Sequence, residues 1–182
     1  MASRRASRPD PHSEAQRRRN MSRIRSRDTK PELQLRRALH AAGLRYRLHD
    51  RRLPGTPDIV FPGRRAVIFV HGCFWHGHDC PLSITPATRT EFWEDKIRRN
   101  RTRDSASEAA LLGAGWRVLT VWECALRGRE RRPLDEIVSA ARKFLDGGEL
   151  YELIRGGAAA EGVDSDGDLQ ARQLQRAERE RR

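Results

Sequence analysis

Ala66-Val-Ile-Phe-Val70 is followed directly by His71-Gly-Cys-Phe-Trp-His-Gly-His-Asp-Cys80. The first segment is a short apolar run with β-branched and aromatic residues, which predicts a buried strand. The second segment holds three histidines, two cysteines and one aspartate within ten residues. Side chains of these types bind metals and transfer protons, so we expect a functional site at the end of this strand.

The cysteines of this segment predict a zinc site. Zinc prefers thiolate and imidazole ligands in a tetrahedral arrangement. Cys73, His78 and Cys80 supply three such ligands, and the remaining cysteine of the chain, Cys124, follows a later predicted strand. If the two strand ends are adjacent, a Cys3His site uses every thiol of the chain. Two alternatives stay open: cysteines without a metal, and His76 as the ligand in place of His78.

A zinc site of this composition leaves His71 and His76 without a metal. An imidazole titrates near neutral pH and can act as a general base, a general acid or a donor to phosphate. His71 can instead be a hydrogen-bonded histidine at a strand end. Asp104, on a long predicted helix after several arginines, can orient a histidine or form an ion pair at the surface.

Gly55-Thr-Pro-Asp58-Ile-Val indicates a second kind of metal site. Many Mg²⁺ nucleases place an aspartate at the start of a short strand, and Mg²⁺ often takes only one or two carboxylates with phosphate oxygens and water. The Glu-x-Lys that often follows on the next strand is replaced here by Phe69-Val70-His71. Asp58 can also be a turn residue, and Glu32 can reach the same site or only cap the first predicted helix.

Phe74, Trp75 and Trp93 are large aromatic residues near the predicted metal ligands. They can pack within the loop, or they can form an apolar wedge that enters between base pairs, as in proteins that kink DNA. Met21, which follows the arginines at 17–19, can insert in the same way from the N-terminal segment.

The surrounding pattern predicts a mixed α/β sheet with helices on its faces. Thr29-Lys-Pro-Glu32 is a capping-box pattern that begins a helix. Two apolar runs separated by Pro62-Gly63 predict a hairpin at the centre of the sheet. The predicted strands are 45–48, 58–61, 66–70 and 116–121, and the further predicted helices are 91–112 and 133–145.

The charge of the chain favours a polyanionic partner. The 182 residues include 37 Lys+Arg and 25 Asp+Glu, a net charge of +12. Residues 1–19 hold no Val, Ile, Leu or aromatic residue, which predicts a basic, disordered arm. A folded domain is expected at 20–155 and a flexible polar tail at 156–182. Nucleic acid is the simplest partner, although solvated arginines of an arginine-rich proteome are an alternative.

The composition also excludes some classes of protein. No apolar run approaches the roughly 20 residues of a membrane span, and the N-terminal segment lacks the apolar region of a secretory signal. We therefore expect a cytoplasmic, nucleoid-associated protein that does not bind membranes. Three cysteines in such a chain do not suggest a disulfide framework.

Four separate motifs, in order, strongly resemble the very short patch repair (Vsr) DNA mismatch endonucleases. They are Pro54-Gly-Thr-Pro-Asp58, Val67-Ile-Phe-Val-His-Gly-Cys-Phe-Trp-His76, Pro86-Ala-Thr-Arg-Thr-Glu-Phe-Trp93 and Gly115-Trp-Arg-Val-Leu-Thr-Val-Trp-Glu-Cys-Ala-Leu-Arg-Gly128. The resemblance extends from about Asn20 to Arg131 and leaves both chain ends uncovered.

This resemblance implies a restriction-endonuclease-like fold with one structural zinc. It implies Mg²⁺-dependent nicking of double-stranded DNA on the 5′ side of the thymine in a T:G mismatch, which arises when 5-methylcytosine deaminates. It also implies a functional link to a cytosine-5 DNA methyltransferase. We expect the protein to act as a monomer on DNA.

The resemblance also assigns roles to individual residues. Asp58 matches the metal-binding aspartate, and the main-chain carbonyl of Val70 is expected on the same Mg²⁺. His76 matches the catalytic histidine, with His71 and Asp104 as its companions and Glu32 as an outer acid near the metal-bound waters. The implied zinc ligands are Cys73, His78, Cys80 and Cys124. The implied intercalating residues are Phe74, Trp75, Trp93 and, from the opposite groove, Met21.

Three other functions compete with this interpretation. A restriction-type nuclease of the same fold would cut DNA without a mismatch, but we expect no second recognition domain from this sequence. A zinc-stabilised DNA-binding module without catalysis would dispense with Asp58 and His76. A basic RNA-binding protein is the most distant alternative.

Overall fold

A computed structural model of the chain describes residues 27–157, together with Gln16 and Arg19. The predicted basic arm at 1–19 otherwise lies outside the described residues, as do Met21 and the tail from residue 158 onward. Among the described residues, no helix is both long enough and apolar enough to cross a membrane.

Within residues 27–157, five strands form one mixed sheet whose spatial order follows the chain. The strands are β1 (Arg47–Leu48), β2 (Ile59–Phe61), β3 (Ala66–His71), β4 (Arg117–Trp122) and β5 (Tyr151–Ile154). The pairs β1–β2 and β2–β3 are antiparallel, whereas β3–β4 and β4–β5 are parallel. The expected mixed sheet with a β2–β3 hairpin is therefore confirmed, but the sequence did not predict β5.

Helices flank this sheet and complete the mixed α/β fold. They are α1 (Lys30–Ala41), α2 (Cys73–His76), α3 (Thr90–Gly113), α4 (Glu123–Leu126) and α5 (Leu134–Asp146). The predicted capping box begins α1, because the Thr29 side chain and Glu32 each accept a hydrogen bond from the other's backbone N–H. The one-turn helices α2 and α4 were not predicted. Each begins immediately beyond the end of a parallel strand, β3 or β4.

The two faces of the sheet carry different apolar cores, because alternate side chains of a strand point to opposite faces. Ile68 and Leu119 pack with the buried faces of α1 and α5 in the larger core. Val67 and Val118 point the other way and pack with Leu111 of α3. This arrangement fixes β3 and β4 side by side, so their carboxyl ends meet at one edge of the sheet.

Candidate active site and metal centre

The carboxyl ends of β3 and β4 bring together two segments that are 51 residues apart. Their parallel register places His71 opposite Trp122, and α2 and α4 then begin on adjacent strand ends. As a result, the backbone N–H of Cys124 donates to the sulfur of Cys73 over 3.3 Å. The predicted proximity of these two cysteines is therefore seen in the structure.

Cys73, His78, Cys80 and Cys124 form one cluster of possible metal ligands, in which all four ligand atoms lie within 4.8 Å of one another. Tetrahedral zinc, with Zn–S distances of about 2.3 Å, places its ligand atoms somewhat less than about 4 Å apart. The set therefore fits a structural zinc after a small contraction. His76 lies outside this cluster.

The surroundings of Cys124 favour the thiolate form of its side chain, which is the form that binds metals. Its pKa is lowered because the Cys73 thiol donates a hydrogen bond to it; burial opposes this shift, and His78 and the backbone N–H of Gly156 assist it. The Gly156 N–H lies 3.2 Å from this sulfur. The chain thus continues in contact with the Cys3His cluster just beyond the predicted domain boundary at residue 155.

Gly77 separates the two histidines that the sequence could not distinguish. Its φ of +64° is left-handed, and a Cβ at this position would lie 2.6 Å from Cγ2 of Ile97. Only glycine fits such a backbone conformation at such a close approach to α3. The chain reverses here, so His76 faces α3 while His78 turns toward Cys124, with its Nδ1 3.6 Å from the sulfur.

His71, His76 and Asp104 form a second cluster beside the first. Nδ1 of His76 and Oδ2 of Asp104 are 2.5 Å apart. Burial works against ionisation of Asp104, but its hydrogen bond with His76 and nearby positive charges hold its pKa below the usual value. The carboxylate therefore fixes the orientation of the imidazole and leaves Nε2 as the nitrogen that can exchange a proton with a substrate.

His71 is held neutral against the ring of His76. The two imidazoles stack with their centroids 4.0 Å apart and their planes within 5°. Burial lowers the pKa of His71 to about 3, and the neighbouring His76 contributes in the same direction. At neutral pH, His71 thus provides a neutral imidazole rather than a second positive charge.

Asp58 lies at the start of β2, where its Oδ2 accepts a hydrogen bond of 2.8 Å from the backbone N–H of Val70. The predicted main-chain ligand of Mg²⁺ is the carbonyl of Val70, whereas this contact with Asp58 is made by the N–H of the same residue. Burial raises the pKa of Asp58 to about 7, and the nearby Glu32 adds to the shift. A largely buried carboxyl group, whose burial outweighs the effect of Arg36 and Arg27, is suited to hold a cation.

Glu32 is 2% exposed and lies close to Asp58 as well as at the start of α1. Its carboxylate completes the capping box of α1, and its charge acts on Asp58 across the site. Arg36 donates to Oε1 of Glu32 over 2.9 Å, which stabilises the buried carboxylate.

Phe74, Trp75 and Trp93 form one aromatic cluster next to these acids and histidines. Phe74 contacts the ring of Trp75 at 5.0 Å and that of Trp93 at 5.4 Å between centroids. All three side chains are partly exposed, and Phe92 extends the cluster with 40% of its surface exposed. The structure thus places the three predicted residues together and adds Phe92, which the sequence analysis did not single out.

Other residues that shape the site carried no sequence signal of their own. Asn100 of α3 donates to the carbonyl of Trp75 over 2.8 Å and so anchors α2 to α3. Trp122 stacks on His78 at 4.3 Å and contacts His71 edge-on at 5.4 Å between centroids. His49 lies between Glu32 and Asp58. A hydrophobic or polar side chain of this kind is recognised as part of a site only when its neighbours are known.

Comparison with known proteins defines the class to which this fold and site belong. The family described as "DNA mismatch endonuclease Vsr" matches residues 9–82. The type II nicking enzyme V.XorIIP of Xanthomonas oryzae is 53% identical over 121 residues, which cover 63% of this chain and 89% of that protein. The type II nicking enzyme V.NmeAIP of Neisseria meningitidis is 44% identical over 60% of this chain and 78% of its own length.

The DNA mismatch endonuclease Vsr of Escherichia coli (strain K12) is 47% identical over 158 residues, 87% of this chain and 96% of the relative. An alignment of this length includes all the described strands and helices. The chain belongs to the Vsr family of DNA mismatch endonucleases.

Proposed function

We propose that this protein is a DNA mismatch endonuclease that nicks duplex DNA on the 5′ side of the thymine in a T:G mismatch. The observation that supports this function most directly is the His76–Asp104 pair, oriented at the same strand end as Asp58. A DNA-binding module would have no need of a largely buried carboxyl group and an oriented imidazole at the same strand end. Family membership supports the same activity.

The cation of the reaction is proposed to be Mg²⁺, held by Asp58 and the main-chain carbonyl of Val70. The donor set is hard oxygen, as Mg²⁺ requires, and the raised pKa of Asp58 reflects burial without a strong positive partner. The chemistry that a bound Mg²⁺ supplies is polarisation of the scissile phosphate and stabilisation of the leaving 3′ oxygen. Ionised Asp58 neutralises part of the ion's charge.

The side chains around this position are proposed to transfer the proton and to orient the water and the phosphate. His76 accepts a proton from the attacking water at Nε2, because Asp104 holds Nδ1. Asp104 stabilises the imidazolium that forms. His71, which stays neutral, supports the ring of His76 by stacking and can donate to phosphate oxygen. Glu32 orients water near the phosphate as an outer acid.

The Cys3His cluster is proposed to hold one structural zinc within a restriction-endonuclease-like fold. Its four ligands close the ends of β3 and β4 without an open position for substrate. The ion would fix α2, and α2 carries both His76 and two residues of the aromatic cluster. Zinc would thus determine the geometry of the nuclease site without taking part in hydrolysis.

Mismatch recognition is proposed to depend on the aromatic cluster. Phe74, Trp75 and Trp93 would enter the duplex beside the mismatch, with Met21 inserted from the opposite groove. A T:G wobble pair is weaker than a Watson–Crick pair, so unstacking it costs less. Such mismatches follow deamination of 5-methylcytosine, and we accordingly propose a link to a cytosine-5 DNA methyltransferase, action as a monomer and a nucleoid-associated location.

A nicking assay on one duplex that carries T:G, T:A or C:G at a single position tests this function. We expect a nick 5′ to the thymine of the T:G duplex alone, only when Mg²⁺ is present, and none from Asp58→Ala. Equal nicking of all three duplexes would indicate a restriction-type nuclease. Binding of the T:G duplex without any nicking, whatever the flanking sequence, would indicate a DNA-binding module.

A further inference from the structure

His49 occupies an unusual position in the loop between β1 and β2. It directly follows β1, which ends at Leu48. Its φ of +47° is left-handed, which is uncommon for a residue with a Cβ. Its backbone N–H points to the carbonyl of Asp58 at 3.4 Å. The loop is therefore tied to Asp58 through the main chain, and its conformation directs the side chain of His49 inward, where only 16% of that side chain is exposed.

The imidazole of His49 lies between two acids of the proposed active site. Its Nε2 is 3.2 Å from Oε1 of Glu32, and its Nδ1 is 3.9 Å from Oδ1 of Asp58. Asp28 also faces Nε2, at 3.9 Å. One ring thus has a carboxylate at each of its nitrogens, one from α1 and one from the start of β2.

Nε2 of His49 is buried, and among the described residues it has no aligned hydrogen-bond partner. The distance from this nitrogen to Glu32 is short enough for a hydrogen bond, but the angle between the two groups is not suitable for one. A buried polar atom of this kind is costly unless a partner completes its hydrogen bonding. A small rotation of the Glu32 carboxylate would supply that partner.

Stabilisation of the buried Glu32 carboxylate does not explain why His49 lies beside it. The same carboxylate already receives a hydrogen bond from Arg36 and another from the backbone N–H of Thr29. What His49 adds is a connection between the two acids, with Glu32 at Nε2 and Asp58 at Nδ1 of the same ring.

We propose that His49 is a positioning residue of the cation site, which holds the carboxylates of Glu32 and Asp58 in a fixed relation so that a divalent cation is bound at Asp58. This inference rests on the proposed function, because the cation at Asp58 is part of that proposal. A residue that orients metal ligands typically changes metal affinity or activity by about 10–100-fold when it is replaced.

The test compares His49→Ala and His49→Gln with His40→Ala, a matched change at an exposed histidine of α1. The first readout is the dissociation constant for Mn²⁺ in the absence of DNA. It is measured from the loss of the electron paramagnetic resonance signal of the free ion. The second is the Mg²⁺ concentration that gives half of the maximal nicking rate on a T:G duplex. We expect the dissociation constant for Mn²⁺ and the half-maximal Mg²⁺ concentration to rise about 10–100-fold in His49→Ala. The rise should be smaller in His49→Gln, whose amide can donate to Glu32.

His40→Ala should match the unaltered protein in both readouts, and all variants should bind the duplex equally without Mg²⁺. Unchanged Mn²⁺ binding and an unchanged Mg²⁺ requirement in both His49 variants would overturn the proposal. If His49→Ala fails to fold, as judged by thermal melting, His49→Gln decides the question. Absence of nicking by the unaltered protein would overturn the proposed function instead, while Mn²⁺ binding would still test the role of His49.

Discussion

His76 and His78 are separated by one glycine but belong to different clusters. His76 pairs with Asp104, whereas His78 faces the sulfur of Cys124. In the proposed function, the same imidazole group therefore serves proton transfer at one position and metal binding at the other. The difference arises from the left-handed conformation of Gly77 and not from any local preference of the histidines.

This division predicts opposite outcomes for two alanine variants. His76→Ala should stay folded, keep its zinc and bind a T:G duplex, while its nicking rate falls about 10²–10⁴-fold through loss of proton transfer. His78→Ala should lose zinc and thermal stability together, because a structural site contributes to folding. Elemental analysis, melting and the nicking assay provide the measurements. If His76→Ala instead released zinc and His78→Ala stayed folded and active, the roles of the two histidines would be the reverse of those proposed.

At the level of elements, α3 packs against the sheet through a partly buried acid as well as through apolar residues. Burial raises the pKa of Glu108 to about 7 from an ordinary value of 4.5, and the charge of Asp104 one turn earlier adds to the shift. Burial likewise raises the pKa of Tyr151 on β5 above its usual range. The contact of α3 with β4 and β5 is therefore most favourable when Glu108 is protonated.

This shift predicts a pH dependence of stability. Between about pH 4.5 and pH 7 the unfolded chain has released the proton of Glu108 while the folded chain keeps it, so stability falls as the pH rises to 7 and then levels off. Glu108→Gln should remove this loss. Its unfolding free energy relative to the unaltered protein should increase from pH 5 to pH 8 by up to about 3 kcal/mol.

Urea unfolding at pH 5, 6.5 and 8 measures this effect. Glu94→Gln, at an exposed position of the same helix, is the matched control and should change little with pH. A difference between Glu108→Gln and the unaltered protein that stays constant from pH 5 to pH 8 would show that Glu108 is ionised in the folded state throughout.

For the whole molecule, the distribution of charge matters for DNA binding. Arginines line the exposed face of α3 beside the proposed active site, at positions 98, 99, 101 and 103. Residues 1–19 add six further arginines and only two acidic side chains, whereas residues 158–182 hold five basic and six acidic ones. We therefore expect the N-terminal arm, and not the C-terminal tail, to contact the phosphate backbone.

Deletion of residues 1–19 should accordingly reduce the salt dependence of DNA binding. The slope of log K against log [salt] should fall by about one unit for each phosphate contact that is lost, while deletion of residues 158–182 leaves it unchanged. Titrations of a labelled T:G duplex at several salt concentrations measure the slopes. An equal slope before and after removal of the arm would mean that the arm does not touch the backbone.

The sequence alone determined the parts of this protein that depend on local chemistry. The capping box of α1, the apolar runs of β2, β3 and β4, and the cluster of histidines and cysteines after β3 can each be recognised within a few residues. Four motifs were enough to indicate the Vsr family. These features are local because caps, strand patterns and ligand types are read from neighbours in the chain.

Only the tertiary structure decided which of these residues meet. The short strand β5 is defined by parallel pairing with β4, and the turns α2 and α4 are held by contacts between adjacent strand ends. The allocation of His76 and His78 depends on the close approach of Gly77 to α3, and His49 gains a role only when Glu32 and Asp58 converge on it. Such contacts join residues that are distant in the chain, so their geometry follows from packing of the whole sheet and leaves no local pattern in the sequence.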